Sequence, residues 1–145
     1  MIVAATVAVI SCAGDPASPS APTTSVPQPS TSGGPPRALE TATITIVENG
    51  FRLDSTTAAA FPIDALRMYK GARLTFVNQD NVPHDIQSDP PHIHTECPEI
   101  GGAGFLVPGQ TKSTDPLDRL VSCGFHDHHH EGDARFSGRV SIEAR

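Results

Sequence analysis

The chain has 145 residues, of which 37% are hydrophobic, and a formal charge of -6 with histidine counted neutral. That length allows one ordinary domain and a tail. An acidic chain repels phosphates instead of displacing their counterions, which excludes nucleic acid as a partner. Acidity suits solubility and the steering of cations or a basic partner.

Residues 2–10 (IVAATVAVI) are apolar and uncharged. The run is too short for a helix across a bilayer, which takes roughly 20 residues, and has the length of a signal-peptide core. It ends in Val9-Ile10-Ser11-Cys12, which resembles the lipobox of bacterial lipoproteins. The resemblance implies cleavage after residue 11, lipid on Cys12, and a place on the periplasmic side of the cell envelope. The membrane is then reached by the lipid anchor alone. Ala13 after the cysteine points to the outer membrane where the cell has one.

Residues 13–36 (AGDPASPSAPTTSVPQPSTSGGPP) hold seven of the fourteen prolines and almost no large apolar side chains. Such a stretch cannot bury enough surface to offset the entropy of ordering, and its prolines favour an extended spacer. The expected organisation is a signal peptide over 1–11, a disordered Pro/Ser/Thr-rich linker over 12–40, and a domain over 41–145.

Within the domain, short strand signals recur between turn residues. Thr41 to Val47 is β-branched and alternating, and Glu48-Asn49-Gly50 turns the chain. Ala58 to Met68 has room for a helical turn, interrupted by Pro62. Arg73 to Val77 is a strand with Leu74 and Phe76 on one face, and Asp85 to Ser88 is a short extended piece. Phe105-Leu106-Val107 precedes the turn signal Pro108-Gly109. Leu120-Val121-Ser122 leads into Cys123, and Arg139 to Ile142 closes the chain with Val140 and Ile142 inward. Strands spaced like this predict an all-β sandwich or small barrel.

All seven histidines fall between His84 and His130, in three segments. His84 follows Pro83 at the end of an apolar strand. His92 and His94 lie in a loop introduced by Pro90-Pro91 and followed by Cys97. Cys123-Gly124-Phe125-His126 runs into Asp127-His128-His129-His130-Glu131. One thiolate with two imidazoles suits copper, because thiolate stabilises Cu(I) and imidazole serves both oxidation states. A strand-end His84 beside a Cys123-x-x-His126 loop supplies that set. His94 and His128 are further candidate ligands, although three consecutive histidines cannot all face one ion. Asp85 is placed to orient the His84 ring.

Three stretches together are distinctive: Gly71-Ala72-Arg73-Leu74-Thr75-Phe76-Val77-Asn78 leading to His84, Leu106-Val107-Pro108-Gly109-Gln110-Thr111, and Cys123-x-x-His126 before Gly138-Arg139-Val140. Over roughly residues 43–145 the chain thereby resembles the cupredoxin family, the plastocyanin-like blue copper proteins. The resemblance implies a Greek-key β-sandwich and copper as cofactor. It also implies His84, Cys123 and His126 as equatorial ligands, and single-electron transfer with a redox partner protein in place of enzymatic turnover. One departure is that no methionine precedes the last strand. The segment there is Arg135-Phe136-Ser137, so an axial ligand falls to Glu131 or to one of His128, His129 and His130.

Cysteine arithmetic opens a second reading. With Cys12 lipidated, Cys97 and Cys123 remain, and a pair in an oxidising compartment is normally a disulfide. That bridge would remove the thiolate and leave a histidine site drawn from His84, His94, His126 and His128. The protein would then be a non-blue copper-handling module that meets a copper donor or acceptor.

Overall fold

The computed structural model describes residues 37–54 and 63–145. The signal peptide, the linker up to residue 36, the lipid site at Cys12 and the turn expected in residues 58–62 lie outside the described residues.

Among the described residues, eight strands carry the fold: β1 Leu39–Val47, β2 Gly50–Leu53, β3 Ile63–Asn78, β4 His84–Ser88, β5 Gly104–Leu106, β6 Thr111–Ser113, β7 Ser122–Asp127 and β8 Ser137–Glu143. Short 3₁₀ turns fill Pro98–Gly102, His128–His130 and Ala134–Phe136. The strand order is β2-β1-β3-β8-β7-β4-β5, with β6 also on β3. β3 pairs in parallel with both β1 and β8, and the other pairings are antiparallel.

Strand β3 serves two sheets. Its first half pairs with β8, Leu66 opposite Val140, and its second half pairs with β1 and β6, Phe76 opposite Ile44 and Lys112. The change comes at Gly71, whose φ of 86° a side chain would strain. The sheet thereby folds over on itself. Phe125 on β7 lies 5.9 Å from Phe51 on β2 and 5.7 Å from Phe76 on β3, although these strands are not neighbours in the order. Phe136 closes the group at 5.8 Å from Phe51. The result is an all-β sandwich, as the spacing of the strand signals predicts, with Ile44, Ile46, Met68, Leu74, Ile86, Leu106 and Val140 buried between its layers.

The expected strands at 41–47, 73–77, 85–88 and 139–142 are present, each within a few residues. Two expectations are corrected. Ile63 to Met68 is extended, not helical, because pairing with β8 buries Ile63, Leu66 and Met68. Cys123 to His126 is not a loop but the middle of β7, held between β8 and β4. Gly50–Leu53 and Thr111–Ser113 are strands that the turn signals beside them concealed.

Phe125→Ala should destabilise the chain by about 3–5 kcal/mol, since the ring is fully buried between two other phenylalanines. Denaturant unfolding followed by circular dichroism checks this; a loss under about 1 kcal/mol would contradict the packing described.

Candidate metal centre

The histidines divide according to the alternation of side chains along a strand. On β7, Cys123, Phe125 and Asp127 point to one face, and Gly124 and His126 to the other. Cross-strand register extends this to β4: Ile86 lies opposite Asp127, and Gln87 opposite His126. His84, two residues before Ile86, therefore shares the face of Asp127, not that of His126.

The expected trio of His84, Cys123 and His126 is accordingly not assembled. Residues three apart on a strand face opposite ways, so Cys123 and His126 cannot reach one ion. Cys123 is in any case bonded to Cys97, 26 residues away in sequence, and both are fully buried. Cys123 thus offers no thiolate, and of the two readings of the cysteines the disulfide is the one realised.

One histidine cluster joins His94, His126, His128 and Glu131, whose donor atoms all lie within 4.8 Å of one another. Each comes from a different local device. His126 is placed by β7, and its Nδ1 donates to Asp89 Oδ1 at 2.7 Å. That bond leaves Nε2 to face the cluster, the arrangement by which a carboxylate orients a ligating imidazole. Gly124 makes room for Asp89, since a Cβ there would stand 1.9 Å from Asp89 Oδ2. His128 opens the 3₁₀ turn after β7 and Glu131 follows it, and Nδ1 of one approaches Oε1 of the other to 2.8 Å without hydrogen-bond geometry.

His94 arrives from the loop between β4 and the first 3₁₀ turn. The loop is tied down by Glu96 N–H to Asp89 O at 2.9 Å, Gly124 N–H to Glu96 Oε2 at 2.7 Å, and the disulfide at Cys97. His92 and His94 are held there at φ of 68° and 55°, a left-handed conformation unfavourable to a side chain. Burial, helped by the neighbouring His126 and His128, lowers the pKa of His94 below its usual 6.5, so its ring is neutral at pH 7. His92 is exposed, reaches Glu131 Oε2 at 3.2 Å and lies edge-on to the His128 ring.

Among the described residues, five buried side-chain polar atoms have no hydrogen-bond partner. Four are His94 Nε2, His126 Nε2, His128 Nδ1 and Glu131 Oε1. Each such atom ordinarily costs about 1–3 kcal/mol. Four gathered at one point form a ready coordination shell of three imidazoles and a carboxylate, a donor set that divalent first-row metals accept.

The second group lies on the other face. His84 is fully buried, with Nδ1 donating to Asp127 Oδ2 at 2.7 Å and Nε2 to Asp80 Oδ2 at 3.2 Å. His130 Nδ1 donates to the same Asp127 oxygen at 2.5 Å. The other oxygen of Asp127 accepts from the backbone N–H of Asp85 at 3.0 Å and of His129 at 3.1 Å. Asp85, expected to orient His84 through its side chain, contributes its backbone instead. His129 enters neither group and sits near Phe105.

Asp127 and Glu131 are the members that histidine-centred reasoning underweights. The spacing His128-x-x-Glu131 was a usable signal. Asp127 had none, because its role depends on the β4 register.

Burial works against charge on His84, but the hydrogen bonds to Asp127 and Asp80 outweigh it and raise its pKa above 6.5. Burial also opposes ionisation of Asp127, yet the bonds from His84, Asp85, His130 and His129 hold its carboxyl far below the usual carboxylate range. The raised histidine contributes stability that is complete below its unfolded value and lost as pH rises through the folded one. The depressed aspartate contributes stability that is present above its unfolded value and lost as pH falls. The metal-free chain should therefore be most stable between about pH 4 and pH 6.5. Urea midpoints at pH 5 and pH 8 check this, and a higher midpoint at pH 8 would contradict it. Replacing Cys97 and Cys123 together by serine should cost about 2–5 kcal/mol. Thiol titration of unfolded Cys12→Ser chain should find no free thiol.

No protein-family model and no curated protein matches the chain. Solved structures are similar to it. A purple cupredoxin from Nitrosopumilus maritimus has 23% identity over 70% of this chain and 99% of its own, with a TM-score of 0.48. A multicopper oxidase has 21% identity over 72% of this chain and 42% of its own, at 0.48. A mutant plastocyanin of fern has 18% identity over 70% of this chain and 100% of its own, at 0.47. The chain is similar to these proteins at these levels.

Proposed function

We propose that the chain is an exported copper-binding protein that holds Cu(II) at His94, His126, His128 and Glu131. The observation that supports this is the convergence of four buried donor atoms that make no hydrogen bond. A cation there satisfies all four at once. Imidazole and carboxylate suit a divalent ion, and affinity along the first-row series peaks at copper. With Cys123 in a disulfide, no thiolate favours Cu(I).

That donor set bears on the role. The one-electron carrier implied by the family resemblance relied on a soft ligand that serves both oxidation states. Three imidazoles and a carboxylate hold Cu(II) in preference, so keeping and handing over the ion is the role proposed, with a copper donor or acceptor as partner and no enzymatic turnover. The His128 and Glu131 side chains are 37% and 24% exposed, which gives such a partner an approach. Export is supported by the buried disulfide, which requires an oxidising compartment, and by the apolar run before Cys12. A lipid anchor at Cys12 on the periplasmic side of the envelope is part of the same proposal.

Loading the stripped chain with Cu(II) tests the reading. The sample should be pale, without the intense band of thiolate-to-copper charge transfer. His94→Ala and Glu131→Gln should each retain one Cu(II) fewer per chain after desalting than the parent. An intense band, or unchanged retention in both variants, overturns it. Competition with Zn(II) decides the metal, copper being the expected winner.

A further inference from the structure

We propose that His84, Asp127 and His130 form a second metal site, independent of the first and suited to a divalent first-row cation. Each of the three offers one donor atom, and these atoms lie within 4.8 Å of one another. Because Asp127 and His126 point to opposite faces of β7, this set cannot share an ion with the first.

Four features distinguish it from an ordinary hydrogen-bonded core. Asp127 is fully buried, and two backbone N–H groups hold one of its oxygens, so the other is fixed toward both imidazoles. That single oxygen accepts from His84 Nδ1 at 2.7 Å and from His130 Nδ1 at 2.5 Å, so both ring nitrogens face it, and a cation that displaces the two protons is held by all three residues. Asp80 lies behind His84 on Nε2, its side chain 7% exposed, as carboxylates lie behind metal-bound imidazoles. Phe136 forms an apolar wall, its ring 4.2 Å from that of His130 and 5.7 Å from that of His84. It fixes both rings and excludes water from one side.

The ligand class follows from the donors. Two imidazoles and a carboxylate exclude Cu(I) as the preferred ion and suit Zn(II) or Cu(II). Two enclosed carboxylates, Asp80 and Asp127, favour a dication, since buried negative charge needs a paired positive one. The His130 side chain is 37% exposed and gives the route of entry.

The test is metal stoichiometry by elemental analysis of the full chain, stripped with chelator, loaded with Cu(II) or with Zn(II) alone, and desalted. The parent should hold two ions per chain. His130→Ala and His84→Gln should each hold one, and adding His94→Ala to His130→Ala should leave none. His129→Ala, which lies outside both groups, should still hold two. An ion count that His130→Ala and His84→Gln leave equal to the parent's, or loss of an ion on His129→Ala, overturns the second site. Loss on His130→Ala without loss on His94→Ala would instead leave this site standing and remove the first. Circular dichroism of each variant confirms that it is folded.

Discussion

Everything at the histidine-rich end of this sandwich depends on the ladder that holds β7 between β4 and β8. Six residues, Ser122 to Asp127, are extended there, and the pairing of His126 with Ser137 and of Asp127 with Ile86 sets which way each side chain points. A shift of one residue would exchange the faces of His126 and Asp127. Phe125 resists it, because its ring fills the space between β2 and β3. The same packing that makes the core thereby aims the donors. His126 goes to one face with His94, and Asp127 to the other with His84.

The disulfide has a complementary role. It ties the loop of His92 and His94 to β7 at Cys123, three residues before His126. The loop itself is otherwise held by a few hydrogen bonds around Asp89 and Glu96. Two histidines keep a left-handed backbone within it, and such local strain is stored where the surroundings over-determine a conformation. Sulfur in this protein therefore positions imidazoles and offers no thiolate. Asp89 and Asp80 do the same from behind their rings. In the proposed function the chemistry moves with that change, from a soft centre that passes electrons to harder ones that keep a divalent ion.

The run His126 to Glu131 shows how a strand and a turn share out adjacent donors. As β7 gives way to a 3₁₀ turn capped by Asp127, which accepts from His129 N–H, the side chains fan out. His128 returns toward His126, His130 toward His84, and His129 toward Phe105. Three consecutive histidines cannot all face one ion, and the turn sends them to three places.

Much of the frame was legible in the residues. The β-branched alternation of Thr41 to Val47, the paired Leu74 and Phe76, and the inward Val140 and Ile142 announce strands whose buried face is decided locally. The gathering of all seven histidines into one third of the chain, and the alternative fates of Cys97 and Cys123, were also open to reading. By itself the sequence determined a β-sandwich frame and a pool of imidazole and carboxylate donors. Only the tertiary structure decided which donors meet. That outcome depends on where β7 begins and on its register with β4, both set by long-range pairing and the packing of Phe125, and a change of a single residue in either sends each side chain to the opposite face.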